Sequence, residues 1–410
     1  MQPAAQRNVR FLGHCDQGGR SDGVQVMVHR GHAYIGHIFS GGFSVVDVRD
    51  PKKPATIAFV PAPENTWALH LQVHDDLLLV VNAANVWTAQ KLTSDKEFFS
   101  RPLAETFDRH GLSFAAGLRV YDISHPAEPR EIGFMPVDGI GLHRIWYVGG
   151  RYAYISAHFE GFTDRILAIV DMSDPARPQI VGRWWLPGMW RANGETPQWP
   201  QGRRYALHHA VVSGTTAYAA WLDGGLTVLD VADPAKPRLL AHRVWCPPFG
   251  GATHSPLQLP ERNLLIVSDE PTQDNCGDGL KYIWVFDVRE PANPVSIATL
   301  PQPAEQRYCE LPGKFGPHNL HENRPGSLQN QNLVFATYFN AGLRVYDIAD
   351  PFQPRAAGHF VPPPPRRLVD PRPNRPLTIQ SGDVFAAADG RLYMTDFNAG
   401  LYILEYDGRT

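Results

Sequence analysis

One phrase recurs along the chain and limits what it can fold into. It is an apolar strand closed by Asp, an acid or His three residues later, then P-x-x-P and a second short strand. The copies read "FSVVDVRDPKKPATIAFV", "LRVYDISHPAEPREIGFM", "LAIVDMSDPARPQIVGRW", "LTVLDVADPAKPRLLAHR", "IWVFDVREPANPVSIATL" and "LRVYDIADPFQPRAAGHF". Their aspartates are Asp47, Asp122, Asp171, Asp230, Asp287 and Asp347, and a degenerate copy, "GLYILEYDG", has Glu405 at that position. Self-similarity at such a spacing is the signature of a repeat architecture.

Each unit also carries two earlier apolar segments, such as "HRIWYV" and "RYAYISA". Four short, turn-bounded strands per unit predict a blade of antiparallel sheet. Proline cannot donate to a strand ladder, so the P-x-x-P run marks a turn, and the repeated Asp should accept backbone N–H groups within it. These aspartates are read as structural. The last copy stops after its third strand, while residues 8–15, "NVRFLGHC", resemble the fourth strands "REIGFM" and "RAAGHF". The expectation is an all-β, seven-bladed propeller of four-stranded blades, a single domain over residues 1–410. The N-terminal strand would complete the last blade and remove its open edge. The phrases "LAIVD", "FSVVD" and "LTVLD" resemble the LVIVD-repeat propellers over nearly the whole chain. That resemblance implies the seven-bladed fold and leaves activity open, since function resides in sites grafted onto folds.

A net charge of −3 gives no footprint for nucleic acid or an anionic membrane, and no apolar run is long enough to span a bilayer. The start, "MQPAAQRNVRFLGHC", has no apolar core typical of a signal peptide. Cys15, Cys246, Cys276 and Cys309 show no metal or redox spacing, so reduced thiols in a cytoplasmic protein are expected.

In a propeller, the first strand of each blade lines the axis, and the two kinds of connection lie on opposite faces. Every long connection here belongs to one face: 84–116, 186–207, 270–281, 301–320 and 361–380. Elaborated loops on a rigid scaffold are where binding resides. Segment 84–116 is of mixed helical character and could form a lid. Histidines open the first strand of blades two to six: His70, His143, His208 or His209, His254, and His318 or His321. Blades one and seven read "SDGVQVMV" and "QSGDVFAA" and lack them. Converging on the axis, these imidazoles would bind one transition metal, Fe(II) or Cu first, with Mn, Zn and Ni as alternatives. The competing reading is histidine as a repeat residue that hydrogen-bonds between blades. His29, His74, His125, His242 and His359 vary in repeat position and are read as structural.

Glu270 and Glu322 are the candidate catalytic carboxylates, placed to orient imidazoles or move protons. Arg144 follows His143 and, by strand alternation, is expected to pack between blades. The elaborated face is aromatic (Trp67, Trp87, Phe98, Phe99, Phe107, Trp185, Trp190, Trp199, Tyr205, Phe249, Phe315), with Arg191, Arg203, Arg204 and Arg307 as carboxylate contacts. The pattern implies a metal-dependent enzyme acting on a small aromatic or isoprenoid-like molecule by redox or O2 chemistry. The alternatives are a redox-neutral lyase, isomerase or hydrolase, and a non-enzymatic scaffold. Placing histidines blade by blade resembles the iron-, copper- and manganese-containing propeller enzymes, whose own family motifs are not evident. No G-x-S-x-G occurs, which leaves a nucleophile-based hydrolase without support.

Overall fold

The computed structural model describes residues 2–408. It is all-β, with antiparallel pairing between successive strands. Strands Gly23–His29, His32–His37, Gly42–Asp47 and Ala55–Pro61 form one four-stranded meander. A nine-stranded sheet follows, held across its middle by the single pair Gly141 and Ala83. An eight-stranded sheet is likewise joined at one pair, Leu222 and Thr253. Two further four-stranded sheets complete the fold.

The chain termini are knitted together as the repeat predicts. Val9–Cys15 is the outer strand beside Gly400–Tyr406, followed inward by Arg391–Asp396 and Ser381–Ala386. Ala5–Arg7 then pairs with Arg355–Val361 of the preceding unit, an addition the sequence pattern did not signal.

The repeated aspartates hold turns. Asp47, Asp122, Asp171, Asp230, Asp287 and Asp347 each accept, through Oδ1, the N–H two residues on, at 2.8–3.0 Å. In each unit the third strand ends at this Asp, before the first proline, and the fourth begins right after the second, as at Pro54 and Ala55. The turn also touches the neighbouring unit. A Cβ on Gly13 would lie 2.0 Å from the Pro51 carbonyl oxygen, so only glycine fits where those backbones meet.

Hydroxyls on second strands bridge to the innermost segment of the next unit. Ser156 donates to Leu207 O at 2.7 Å, Ser268 to His318 O at 2.8 Å, Thr337 to Gly382 O at 3.0 Å and Thr395 to Val24 O at 2.5 Å. The last of these ties the C-terminal unit to the first. Apolar cores lie between neighbouring units; one joins Phe43 and Val45 to Leu78 and Val80 on one side and to Phe385 and Leu401 on the other.

No described helix is long and apolar enough to cross a membrane. The reduced-thiol expectation fails for two cysteines: Cys276 and Cys309 form a disulfide with Cα atoms 5.4 Å apart, while Cys15 and Cys246 are free and buried.

Candidate functional site

Irregularities in the innermost strands aim the histidines. Pairing slips between Leu142 and Arg144, between Tyr205 and His209, and between Thr253 and Ser255. His143, His208 and His254 therefore lie inside bulges. A bulge leaves one residue unpaired and re-aims its side chain, so consecutive residues no longer alternate between faces. This corrects the placement of Arg144. It is buried beside His143 and meets Glu322 (Nη2 to Oε1, 3.2 Å), not a position between units.

Five imidazoles come together. Ring centroids are 4.8 Å apart for His70 and His143, 4.7 Å for His143 and His208, 3.5 Å for His208 and His254, and 4.4 Å for His254 and His318. All five rings line one cavity of about 100 Å³. Burial pushes the imidazolium forms of His70, His143, His208 and His254 well out of the physiological range and takes His318 to about 3. The rings are neutral, the form that binds metals.

Backbone and side-chain partners fix which nitrogen is free. Nδ1 of His70 donates to His143 O, Nδ1 of His208 to His254 O at 2.9 Å, and Nδ1 of His318 to Gly382 O. For His254, Ser255 Oγ donates to Asn319 Oδ1 at 3.0 Å and so accepts from His254 Nδ1 at 2.9 Å. Each Nε2 then carries a lone pair. That of His254 faces Glu270 Oε2 at 3.4 Å, and that of His318 faces Glu270 Oε1 at 3.8 Å. Two imidazole lone pairs and a carboxylate face one another, their donor atoms all within 4.8 Å. A cation between its members, or a proton on Glu270, would relieve the repulsion within such a set. Nitrogen–metal bonds of about 2.1 Å put neighbouring ligand rings roughly 4.5–5 Å apart, and most of the ring spacings match.

His209 and His321 are not part of this cluster, which corrects their candidacy as ligands. His209 Nε2 donates to Glu322 Oε1 at 3.1 Å. His321 donates to Leu328 O at 2.8 Å and accepts from Ala386 N at 3.1 Å, which occupies both of its nitrogens. Glu322 is likewise outside the cavity lining. Gln72, Arg144 and His209, from three other units, all reach its carboxylate. Burial works against its charge, but the His209 hydrogen bond and the Arg144 and Arg324 charges hold it at about 2. Arg324 also donates to Val73 O at 2.8 Å and Tyr147 O at 2.6 Å. Glu322 thus faces a buried network that ties several units together, and not the cavity where it was expected. Glu270, in contrast, lines the cavity, and burial raises its carboxyl.

The cavity wall is aromatic: Trp67, Trp87, Phe98, Phe99, Phe39 and Phe397. Three short helices, α1 (Val86–Ala89), α2 (Asp95–Phe99) and α3 (Leu103–Thr106), lie in the segment read as a lid. Phe98 of α2 stacks on Trp87, centroids 4.8 Å apart. Arg204 fastens α2 by donating to Phe98 O at 2.9 Å and Asp164 Oδ2 at 2.8 Å. Of the other expected aromatics, Trp185 and Trp190 pack on Phe162, Trp199 stacks on Tyr205 and Phe315 on Tyr308, all away from the cavity.

The expected arginines are also displaced. Arg191, Arg203, Arg204 and Arg307 do not line the cavity; Arg165, Arg372, Arg375 and Lys314 do, with Asp95 and Asp370. One signal was available for Arg165. Six residues before the repeated Asp or Glu405 stand Gly41, Ala116, Gly224, Ala341 and Ala399, and only Arg165 and Lys281 depart from small residues.

The comparisons with known proteins bear on the fold. No curated protein matches the chain. Among solved structures, U3-55K superimposes with a TM-score of 0.59 at 9% identity, covering 98% of this chain and 100% of that one. The Cps50 (Swd1) β-propeller domain of Myceliophteria thermophila gives 0.57 at 11% identity, covering 94% and 97%. A hypothetical selenium-binding protein from Sulfolobus tokodaii gives 0.53 at 13% identity, covering 92% and 91%. The LVIVD repeat family matches residues 144–184 and 209–242. The chain carries LVIVD repeats on a β-propeller fold.

Proposed function

We propose that the chain is a metal-dependent enzyme built on seven four-stranded blades, with its metal at the axial histidine cluster. The seven-fold reading rests on splitting the nine- and eight-stranded sheets at their single-pair junctions and on the hydroxyl links that run from unit to unit. One observation carries the functional reading: the unprotonated Nε2 atoms of His254 and His318 face the Glu270 carboxylate at the end of an aromatic cavity. His254, His318 and Glu270 would hold the ion, with His70, His143 and His208 lining the cavity beside it. Two imidazoles and one carboxylate favour Fe(II) over Cu, because that trio leaves open positions for O2 and substrate. A bound metal of this kind would supply redox chemistry with O2 or, in the redox-neutral alternative, Lewis-acid polarisation.

The protein's own groups do the rest. Nδ1 donation to backbone holds three of the rings in one tautomer and orientation. Lys314 Nζ, 3.5 Å from Glu270 Oε1, favours the ionised carboxylate that burial disfavours. Aromatic walls under α2 exclude water from a small, partly apolar organic substrate. The Cys276–Cys309 bond favours an oxidising compartment over the expected cytoplasm.

Elemental analysis of purified protein with an O2-uptake assay tests the reading. Stoichiometric transition metal is expected, falling in His254→Ala without loss of fold. Protein with no transition metal, before or after loading with Fe(II) or Cu, refutes it.

A further inference from the structure

Charged groups around the cavity all have an ion partner, and the cationic ones are hydrogen-bonded to it with one exception. Arg372 is held by Asp370 (Nη2 to Oδ2, 2.6 Å) and Asp95 (Nη1 to Oδ1, 2.7 Å), and Lys314 lies between Glu270 (3.5 Å) and Asp95 (3.6 Å). Arg375 reaches Asp274 at 3.3 Å. Arg165 is only 3% exposed, lines the cavity beside the histidines, and makes no side-chain hydrogen bond among the described residues. Its Nε is buried without a partner.

Asp164, the nearest acid, does not fill the gap. Asp164 Oδ2 accepts from Arg204 Nε at 2.8 Å and Leu103 N at 2.9 Å, and Oδ1 accepts from the Arg165 backbone N–H at 2.8 Å. Arg165 Nε stays 3.6 Å from Oδ1, beyond hydrogen-bond range. A buried guanidinium left this way is costly, and its planar fork fits a carboxylate at two points. The remainder of the cavity is aromatic. Its volume, about 100 Å³, is of the order of the engineered cavity of about 150 Å³ that accepts benzene.

We propose that Arg165 receives the carboxylate of a small aromatic monocarboxylic acid whose ring lies among Trp67, Trp87, Phe98 and Phe397. This deepens the function proposed above and rests on it for the cavity being the substrate site. The carboxylate replaces the missing hydrogen-bond partner of Arg165 and sets the ring beside the histidine cluster.

The test titrates benzoate, phenylacetate, cyclohexanecarboxylate and neutral benzyl alcohol into wild type, Arg165→Met and Arg165→Lys. Calorimetry on both metal-free and metal-loaded protein is the readout. An aromatic acid should bind wild type in both metal states, at least ~10-fold more tightly than benzyl alcohol. Arg165→Met should weaken it by roughly 10- to 100-fold, the loss expected for a charge-assisted hydrogen bond, with Arg165→Lys intermediate. If Arg165→Met does not fold, Arg165→Lys and the acid-to-alcohol ratio in wild type carry the result. Arg165-dependent binding in protein that takes up no metal would remove the enzyme reading and leave this site standing. Binding unchanged in the Arg165 variants, alcohol bound as well as acid, or no acid bound in either metal state overturns the proposal.

Discussion

His208 lies face to face with His254, their ring centroids 3.5 Å apart and planes 27° from parallel. Rings this close cannot both direct Nε2 at one cation, because ligands on neighbouring coordination positions stand roughly 4.5–5 Å apart. His254 and His318 face Glu270, so His208 is the ring that must move or stay outside the coordination shell. His254→Ala and His318→Ala should therefore each lower metal affinity by at least ~10-fold, and His208→Ala by less. Metal titrations on the three variants check the order; a larger loss in His208→Ala would reverse the assignment.

Glu270 and Glu322 are both buried carboxylates with imidazole neighbours, yet they should fail differently. Glu322 balances Arg144, and removing one member of a buried ion pair typically costs about 3–5 kcal/mol. Glu322→Gln should thus melt at markedly lower temperature while any folded fraction binds metal normally. Glu270→Gln should keep the melting temperature of metal-free protein within a few degrees and lose metal affinity. Calorimetric melting alongside metal content separates the two.

The sequence showed the wheel more plainly than the hub. Strand order, the turn role of Asp47 and its equivalents, and the N-terminal strand all follow from a repeat whose residues act locally. His70, His143, His208, His254 and His318 were legible because one position recurs in consecutive units. His209 and His321 were not separable from their neighbours, since the choice depends on bulges that strand periodicity does not encode. Arg165, Asp95 and Arg372 escaped notice for another reason. They come from loops and strand starts of different units, and only packing brings them to one cavity.

Gly382 occupies the bulge position that bears histidine in other units, and its carbonyl accepts from His318. A Cβ there would lie 2.2 Å from the Phe397 ring. Gly382→Ala should push that ring into the cavity, costing about 1–3 kcal/mol as overpacking. The expected result is a lower melting temperature together with weaker ligand and metal binding. A variant with wild-type melting and binding would mean that Phe397 has room to yield.

Asp383 is fully buried and accepts from Val26 N at 2.9 Å. Burial raises its carboxyl to about 7, opposed by the Arg144 charge and reinforced by Glu322. An unfolded Asp titrates near 3.9, so the folded state disfavours ionisation. The stability this group contributes is full below about pH 4 and is lost as pH rises through about 7. Asp383→Asn removes that dependence. The melting temperature of wild type should fall relative to the variant between pH 5 and 8, and parallel melting curves across that range would show that Asp383 is not the group responsible.

The disulfide gives the last prediction. Cys276 and Cys309 are 33 residues apart, and closing a loop of that length stabilises a fold by about 3–4 kcal/mol on chain-entropy grounds. Asn275 Nδ2 also donates to Cys309 O at 3.2 Å and Leu311 O at 2.9 Å, so two loops are fastened just ahead of Lys314 and His318. Unfolded, unreduced protein should therefore show two reactive thiols, Cys15 and Cys246, and four only after reduction. Replacing both Cys276 and Cys309 by Ser should lower the melting temperature and loosen metal binding through the loop that carries His318. Four thiols before reduction would remove the bond and, with it, the argument for an oxidising compartment.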